Sequence, residues 1–429
     1  MTNNKERILI LDGQTSQSLA CVRSLGQAGY KVLVASHQRF PLGAWSRYCE
    51  GSYRLPDQTL NSFAAMRDWA KDKSVHIVLP LTERSCLLAN AERGEWESAG
   101  TIVGCGPNEM LHPAFDKAQT LSRAQDDGIR IPFTRLPTSL EDCTAAVGEI
   151  GFPCVVKPRS SSGWDGSSFS STSSPAYVYS SAGLSHFLAQ RRGLDWPLIQ
   201  EFVPGQGKGV FALCDQGRVV ALFAHERLRE TRPTGSASSL RRSVPLDPRL
   251  RDPAVRLLRE LKWHGPAMVE FKDDGINPPC LMEINGRFWG SLQLAIDAGV
   301  DFPGLWVSLL KGNEVESVTE YKEGLVVRWL LGDIKRFAWI LRGTPKGFPG
   351  TYPTIREGIQ ELLGPQPEGT RLETWRSSDP WPAVAELAAV IKAFPEFLKL
   401  MWSRIDISQR KRRQVDRAGN ETPYLGEVL

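Results

Sequence analysis

Glu283 and Asn285 stand two residues apart in the run Leu281-Met282-Glu283-Ile284-Asn285-Gly286-Arg287. On a β-strand that spacing points both side chains to one face. A second apolar run, Ala267-Met268-Val269-Glu270-Phe271, precedes it, and the stretch Asp273-Asp274-Gly275-Ile276-Asn277-Pro278-Pro279 between them carries turn residues. Together they predict a β-hairpin with Glu270 roughly opposite Glu283. Two carboxylates and an amide oxygen on one face suit a hard cation. Mg²⁺ is the natural choice where phosphates supply the remaining ligands, with Mn²⁺ as the other candidate. Arg287 falls on the same face and offers a planar fork to phosphate or carboxylate. A bare Glu-x-Asn triplet also describes a solvated edge strand. The continuation favours a site: Arg287-Phe288-Trp289-Gly290-Ser291 runs into residues 292–300, a predicted helix opened by Ser and closed by Gly299. A strand with ligands at its end, feeding a helix N-terminus, makes a good anion and metal site.

Upstream, Cys154-Val155-Val156-Lys157-Pro158 reads as a strand ending in a lysine. It runs into Arg159-Ser160-Ser161-Ser162-Gly163-Trp164-Asp165-Gly166-Ser167-Ser168. Such a loop offers free backbone N–H groups and hydroxyls to phosphate oxygens, and glycine permits close approach. A flexible surface loop is the other reading. Leu198-Ile199-Gln200-Glu201-Phe202-Val203-Pro204-Gly205 is a strand breaking at Pro-Gly. Residues 210–214 and 218–224 flank the turn Asp215-Gln216-Gly217 as an antiparallel hairpin. His225, Arg227, Arg229, Arg232, Arg241 and Arg242 then cluster around a Gly/Ser stretch. Their density suggests an anionic substrate or a triphosphate; a solvated charged face is the alternative. A lone histidine near a strand end, such as His225, is more often structural.

The elements that would position these groups begin with Arg7-Ile8-Leu9-Ile10-Leu11, a buried strand. A turn, a helix over 19–28 ended by Gly29, and the strand Lys31-Val32-Leu33-Val34-Ala35 follow. This β-α-β unit implies a parallel sheet with right-handed crossovers. Residues 75–80 and 101–104 add short strands, so residues 1–113 are expected to form a doubly wound α/β domain. Ligands sit beyond the strand C-terminal ends in such sheets, where Asp12, Ser36, Thr82 and Glu83 lie. Gly13-Gln14-Thr15-Ser16 lacks the spacing of a dinucleotide fingerprint or a P-loop.

Composition bounds the rest. With 429 residues and 41% hydrophobic content the chain can build two or three cores. A net charge of +4 does not call for nucleic acid. The eight cysteines form no Cys-x-x-Cys pair, so no zinc or redox site is expected, and buried thiols fit a reducing cytosol. The polar start predicts no signal peptide, no stretch is apolar for long enough to span a bilayer, and no internal repeat is visible.

In order and spacing, these residues resemble the ATP-grasp superfamily, in the branch similar to the large subunit of carbamoyl phosphate synthase. The likeness covers residues 1 to about 310. It rests on Lys117, the Val-Val-Lys157-Pro strand with its Gly/Ser loop, Gln-Glu201-Phe-Val-Pro-Gly205, and Glu270 with Glu283-Ile-Asn285-Gly-Arg287. The resemblance implies an ATP-grasp domain over 114–315, with a lid subdomain at about 135–195, a central subdomain, and ATP between them. Lys117 and Lys157 would contact the phosphates, with Ser162, Gly163 and Gly166 in the covering loop. Glu201, Phe202 and Val203 would read the adenine. Glu270, Glu283 and Asn285 would hold about two Mg²⁺ ions, and Arg287 would stabilise the transferring phosphoryl group. One departure stands out: many members place an acidic residue for the ribose just after the hinge glycine, where this chain has Gln206.

The implied reaction is carboxylate–amine (or carboxylate–thiol) ligation. A carboxylate attacks the γ-phosphorus of ATP, and an amine then displaces phosphate from the acyl phosphate. Lys157, Arg287, Arg227 and His225 are the catalytic candidates, and His225 or Glu230 could take the amine proton. Kinase-like phosphoryl transfer and a non-catalytic ATP-binding protein are the alternatives. Small molecules rather than nucleic acid are the expected partners, and a homodimer is the default. Residues 316–429 are expected to form a mainly helical extension. Val384, Leu387, Val390, Ile391, Phe394, Phe397, Leu398, Met401 and Trp402 recur at helical spacing before the basic Arg410-Lys411-Arg412-Arg413. Helices packed on the catalytic domain are one reading. Peripheral contact with the inner membrane face by an otherwise cytoplasmic protein, and an envelope-related substrate, is the other.

Overall fold

Arg7–Ile10 (β1), Lys31–Ser36 (β2), Cys49–Arg54 (β3), Val75–Leu79 (β4) and Ile102–Val103 (β5) form one parallel sheet in the order β3-β2-β1-β4-β5. Its inner strands are buried on both faces, which is why they read as continuous apolar runs. The structure, a computed structural model, describes residues 6–391 except 58, 161, 165–168, 171–174, 190–195, 346, 347 and 349. The first helix, Ser16–Gln27, starts three residues before the expected Leu19 because the Thr15 hydroxyl accepts from the Ser18 N–H and caps it there.

A smaller antiparallel sheet follows. It uses Thr134–Arg135 (β6), Cys154–Lys157 (β7), Ala176–Val178 and Leu198–Glu201, with the short pair Gly163–Trp164 (β8) and Phe169–Ser170 (β9) set apart. With the last two strands of that sheet numbered β10 and β11, its order is β10-β7-β11-β6. Cys143, Val147, Val156, Leu184 and Ile199 give it a core of its own. The lid expected over about 135–195 falls within this layer, which runs from Thr134 to Glu201. Part of the Gly/Ser loop, Gly166 included, lies outside the described residues.

The central sheet has seven strands: Gln206–Asp215 (β12), Arg218–Glu230 (β13), Ser238–Ser243 (β14), Gly265–Asp273 (β15), Cys280–Asn285 (β16), Val326–Arg328 (β17) and Arg371–Leu372 (β18). Their order is β16-β15-β12-β13-β14-β17-β18. The turn between β12 and β13 uses Gln216 and Gly217 at φ 48° and 89°. Alternation along β12 feeds two cores. Val210, Ala212 and Cys214 pack with Leu250, Ala254 and Leu257 of the helix Pro248–Glu260. Phe211 and Leu213 pack with Trp289, Phe302 and Trp306, and with Ile8 and Ile10 of the N-terminal sheet.

The C-terminal part corrects an expectation. The boundary expected at residue 315 does not close the sheet, because Val326–Arg328 pairs antiparallel with β14 and carries β18 parallel beside it. The helices Leu330–Arg342 and Ile355–Leu363 follow. They are stitched in by buried ion pairs: Arg229 and Arg328 both reach Asp333, Arg241 pairs with Glu373, and Arg23 of the first helix reaches Asp379 at 2.9 Å. The run Arg410–Arg413 lies outside the described residues.

Candidate active site

The hairpin of β15 and β16 has the register expected from its sequence, with Glu270 directly across from Glu283 and Met268 across from Asn285. Asn285 bridges the carboxylates: its amide nitrogen donates to Glu283 at 3.0 Å and to Glu270 at 3.3 Å. Its oxygen accepts from Arg287 at 3.3 Å. The Arg287 guanidinium also donates to the Phe288 carbonyl at 2.9 Å, which fixes its direction.

Cations close the arrangement on both sides. Lys117 opens the helix Lys117–Asp126 and its Nζ lies 3.4 Å from Glu283. Lys157 ends β7, and its charge reaches Glu283 and Glu270. Burial pushes the Lys157 ammonium down against the opposing pull of Glu283, while Lys117 pushes it down further. Burial alone would raise the Glu283 carboxyl. Lys117, the Asn285 hydrogen bond and Lys157 outweigh it and bring the group to about 2. Glu283 is therefore ionised throughout the neutral range.

Arg227, on β13, donates to Glu270 at 2.5 Å and to Glu230 at 3.3 Å. Burial works against its charge, but the two carboxylates more than compensate and raise its pKa. The sheet has room for this contact because Gly207 and Gly209 line the same stretch: a Cβ on Gly207 would lie 3.2 Å from the Arg227 guanidinium.

Two carboxylates and an amide, bracketed by cations that phosphates would satisfy, are a donor set that fits Mg²⁺. Glu270, Glu283 and Asn285 would hold it. Its ligands beyond these would have to come from a nucleotide, since no cluster of three or more His, Cys, Asp or Glu occurs among the described residues.

Other candidates sit differently. Glu201, Phe202 and Val203 form the strand-to-loop link between the two sheets, and one Glu201 oxygen accepts from the Phe133 N–H at 2.9 Å. Gly205 after them has φ 108°, and a Cβ there would meet the Asp273 backbone at 2.6 Å. Gln206 is exposed, with its amide donating to the Arg227 carbonyl at 2.8 Å. The Ser162 N–H donates to Glu83 of the N-terminal domain at 3.2 Å, and Gly163 lies in the short β8 strand beside it. His225 is 3% exposed and lies against Phe211, with Nε2 2.6 Å from the Ser291 hydroxyl. Burial, then the charges of Arg227 and Arg241, hold its pKa well below the usual histidine range. It is a neutral, poor proton acceptor, which weakens it as the amine base. The expected Ser291 cap is absent for the same reason: no side-chain cap bond forms at the helix Leu292–Ala298, and the hydroxyl serves the imidazole.

Beside the carboxylates opens a cavity of about 760 Å³. Glu270, Glu283, Asn285, Arg287, Arg227 and His225 line one part of it. Sequence reasoning did not foresee the rest. Gln14 and Gln38 come from the N-terminal sheet's loops, Arg241 from β14, and Trp329, Lys335 and Glu386 from the C-terminal part. Arg241 at least stood in the basic cluster; the others carry no local spacing that marks them.

Known proteins resemble this chain in sequence and in fold. Residues 195–332 match the family described as ATP-grasp in the biosynthetic pathway with Ter operon. The carbamoyl phosphate synthase large chain of Methanosarcina barkeri is 22% identical over 298 residues, 66% of this chain and 26% of that one. The formate-dependent phosphoribosylglycinamide formyltransferase of Chlorobaculum tepidum is 37% identical over 84 residues, 19% of this chain and 20% of that one. The chain thus spans about a quarter and a fifth of these curated relatives. Among solved structures, the biotin carboxylase domain of Hydrogenobacter thermophilus 2-oxoglutarate carboxylase, in complex with MgADP, ADP and bicarbonate, superposes with a TM-score of 0.59 at 14% identity, covering 75% of this chain and 73% of that one. N5-carboxyaminoimidazole synthetase of Staphylococcus aureus gives 0.59 at 11% identity over 75% and 80% of the two chains. No helix of the described residues is long and apolar enough to cross a membrane. The chain thus shares the fold of these structures, and its central sheet carries the match to the ATP-grasp family model.

Proposed function

We propose that the protein is an ADP-forming carboxylate–amine ligase working through an acyl phosphate. One observation carries this reading: the Glu270–Asn285–Glu283 face, bracketed by Lys117 and Arg227, opens directly into a cavity large enough for a second substrate. A bound Mg²⁺ would neutralise phosphate charge at that face. Lys117 and Lys157 bind the phosphates, and Glu201 to Val203 border the base. Gln206 keeps its side-chain oxygen for the ribose. Arg287, fixed by Asn285 and the Phe288 carbonyl, meets the charge that builds on the phosphoryl group as the carboxylate attacks. Arg227 orients that carboxylate. The β7–β11 layer excludes water, which the acyl phosphate requires.

The test is trapping with hydroxylamine. Incubation with Mg-ATP and a pool of carboxylic acids should release ADP and yield a hydroxamate, and Glu283→Gln should abolish both. ADP release with a stable phosphorylated product and no hydroxamate would instead establish kinase-like transfer.

A homodimer and a cytoplasmic site with peripheral membrane contact belong to the same reading. Ile355, Ile359 and Leu363 expose one apolar face of their helix, which supports such a contact. Sedimentation with anionic vesicles at low salt tests it; a protein left wholly in the supernatant would rule it out.

A further inference from the structure

The C-terminal part walls one side of the cavity with Trp329, Leu331, Ala385 and Ala389, and Phe40 and Leu42 of the N-terminal domain line it as well. One buried carboxylate is committed to this wall. Glu386 is 7% exposed; one of its oxygens accepts from the Trp329 indole N–H at 2.7 Å and the other from the Thr374 hydroxyl at 2.7 Å. Burying a carboxylate is costly unless its oxygens are satisfied, and here half of that satisfaction comes from the indole. Gly332 lets the ring seat, since a Cβ there would lie 2.5 Å from it. Lys335 places its ammonium 4.8 Å from the ring centroid. Trp329 is thus held by its edge and by a cation over its ring, and part of its surface lines the cavity.

We propose that this wall binds the apolar body of the carboxylate substrate; the inference rests on the ligase reading above. The carboxylate lies toward Arg287 and Arg227. A hydrocarbon or aromatic portion, uncharged or anionic, lies against Trp329, Leu331 and Ala385. Lys335 makes the wall unfavourable to a cationic tail.

Calorimetric titration of the full-length protein with acetate, hexanoate, 3-phenylpropionate and 6-aminohexanoate, with and without a non-hydrolysable Mg-ATP analogue, tests it. Hexanoate and 3-phenylpropionate should bind about tenfold or more tighter than acetate and 6-aminohexanoate. Trp329→Ala should erase that preference while analogue binding is unchanged, and Trp329→Phe should keep most of it. Equal binding of the four acids, or a preference that survives Trp329→Ala, would overturn the proposal. If Trp329→Ala does not fold, Glu386→Gln is the second variant: a preference reduced about threefold supports the wall, and an undiminished one overturns it. Failure of the wild type to bind the analogue would remove the ATP reading alone, because the order of the acids still decides the subsite.

Discussion

The two parts of the candidate site are built in opposite ways. The part proposed for phosphate takes its carboxylates and amide from one hairpin, β15 and β16, and its two lysines from a helix start and a strand end. Its charges touch one another in an unbroken chain from Lys117 through Glu283, Asn285 and Glu270 to Arg227. The part proposed for the acceptor takes single residues from loops after β1 and β2, from β14, and from segments near 329 and 386. Its position depends on buried arginine–carboxylate pairs that tie the C-terminal part to the rest. A site made of adjacent residues can be fixed by its own ligands. A site made of distant ones needs a scaffold, and here that scaffold is ionic.

This contrast can be broken most severely at the scaffold. Arg241 and Glu373 are each 2% exposed and pair with one another. Arg241→Met leaves a buried carboxylate alone and should cost about 3–5 kcal/mol by urea denaturation, with the double variant Arg241→Met/Glu373→Leu recovering most of it. A single variant within 1 kcal/mol or so of wild type would show that the seam is not what holds the acceptor wall. At the link between the two sheets, Gly205→Ala forces a β-carbon against the Asp273 backbone from a positive φ. A loss of about 1–3 kcal/mol is expected in the same measurement. The smallest effect concerns acid. The folded-state pKa of Glu283 lies at about 2, below the ordinary 4.5. Its contribution to stability is complete above the higher value and is lost as pH falls toward the lower one. The stability difference between wild type and Glu283→Gln should therefore be flat at neutral pH and shrink between pH 4.5 and 2. A difference that changes around neutrality would mean that the lysines do not hold the charge.

The same contrast decides what could be read from the chain. Strand alternation fixed the pairing of Glu270 with Glu283, because a one-residue slip of either strand would turn its carboxylate to the apolar side. The parallel N-terminal sheet was legible in its apolar runs, and the strand ending at Lys157 in its abrupt change to a Ser/Gly loop. His225 misled because spacing records neither burial nor a Ser291 hydroxyl 66 residues away. Residues 326–328 looked like the start of an extension, yet a three-residue strand joins a sheet wherever an edge with matching register is free, and β14 offered one. Trp329 and Glu386 are 57 residues apart and meet only after the C-terminal part has packed. No periodicity marks such a contact in advance.

The most direct single measurement is calorimetric titration of a non-hydrolysable ATP analogue into wild type and Glu283→Gln, each with and without Mg²⁺. Binding by the wild type that requires Mg²⁺, and that Glu283→Gln loses while its fold is retained, is the expected result. Equal binding by both proteins, or binding indifferent to Mg²⁺, would contradict the assignment of Glu270, Glu283 and Asn285 as the metal-nucleotide site.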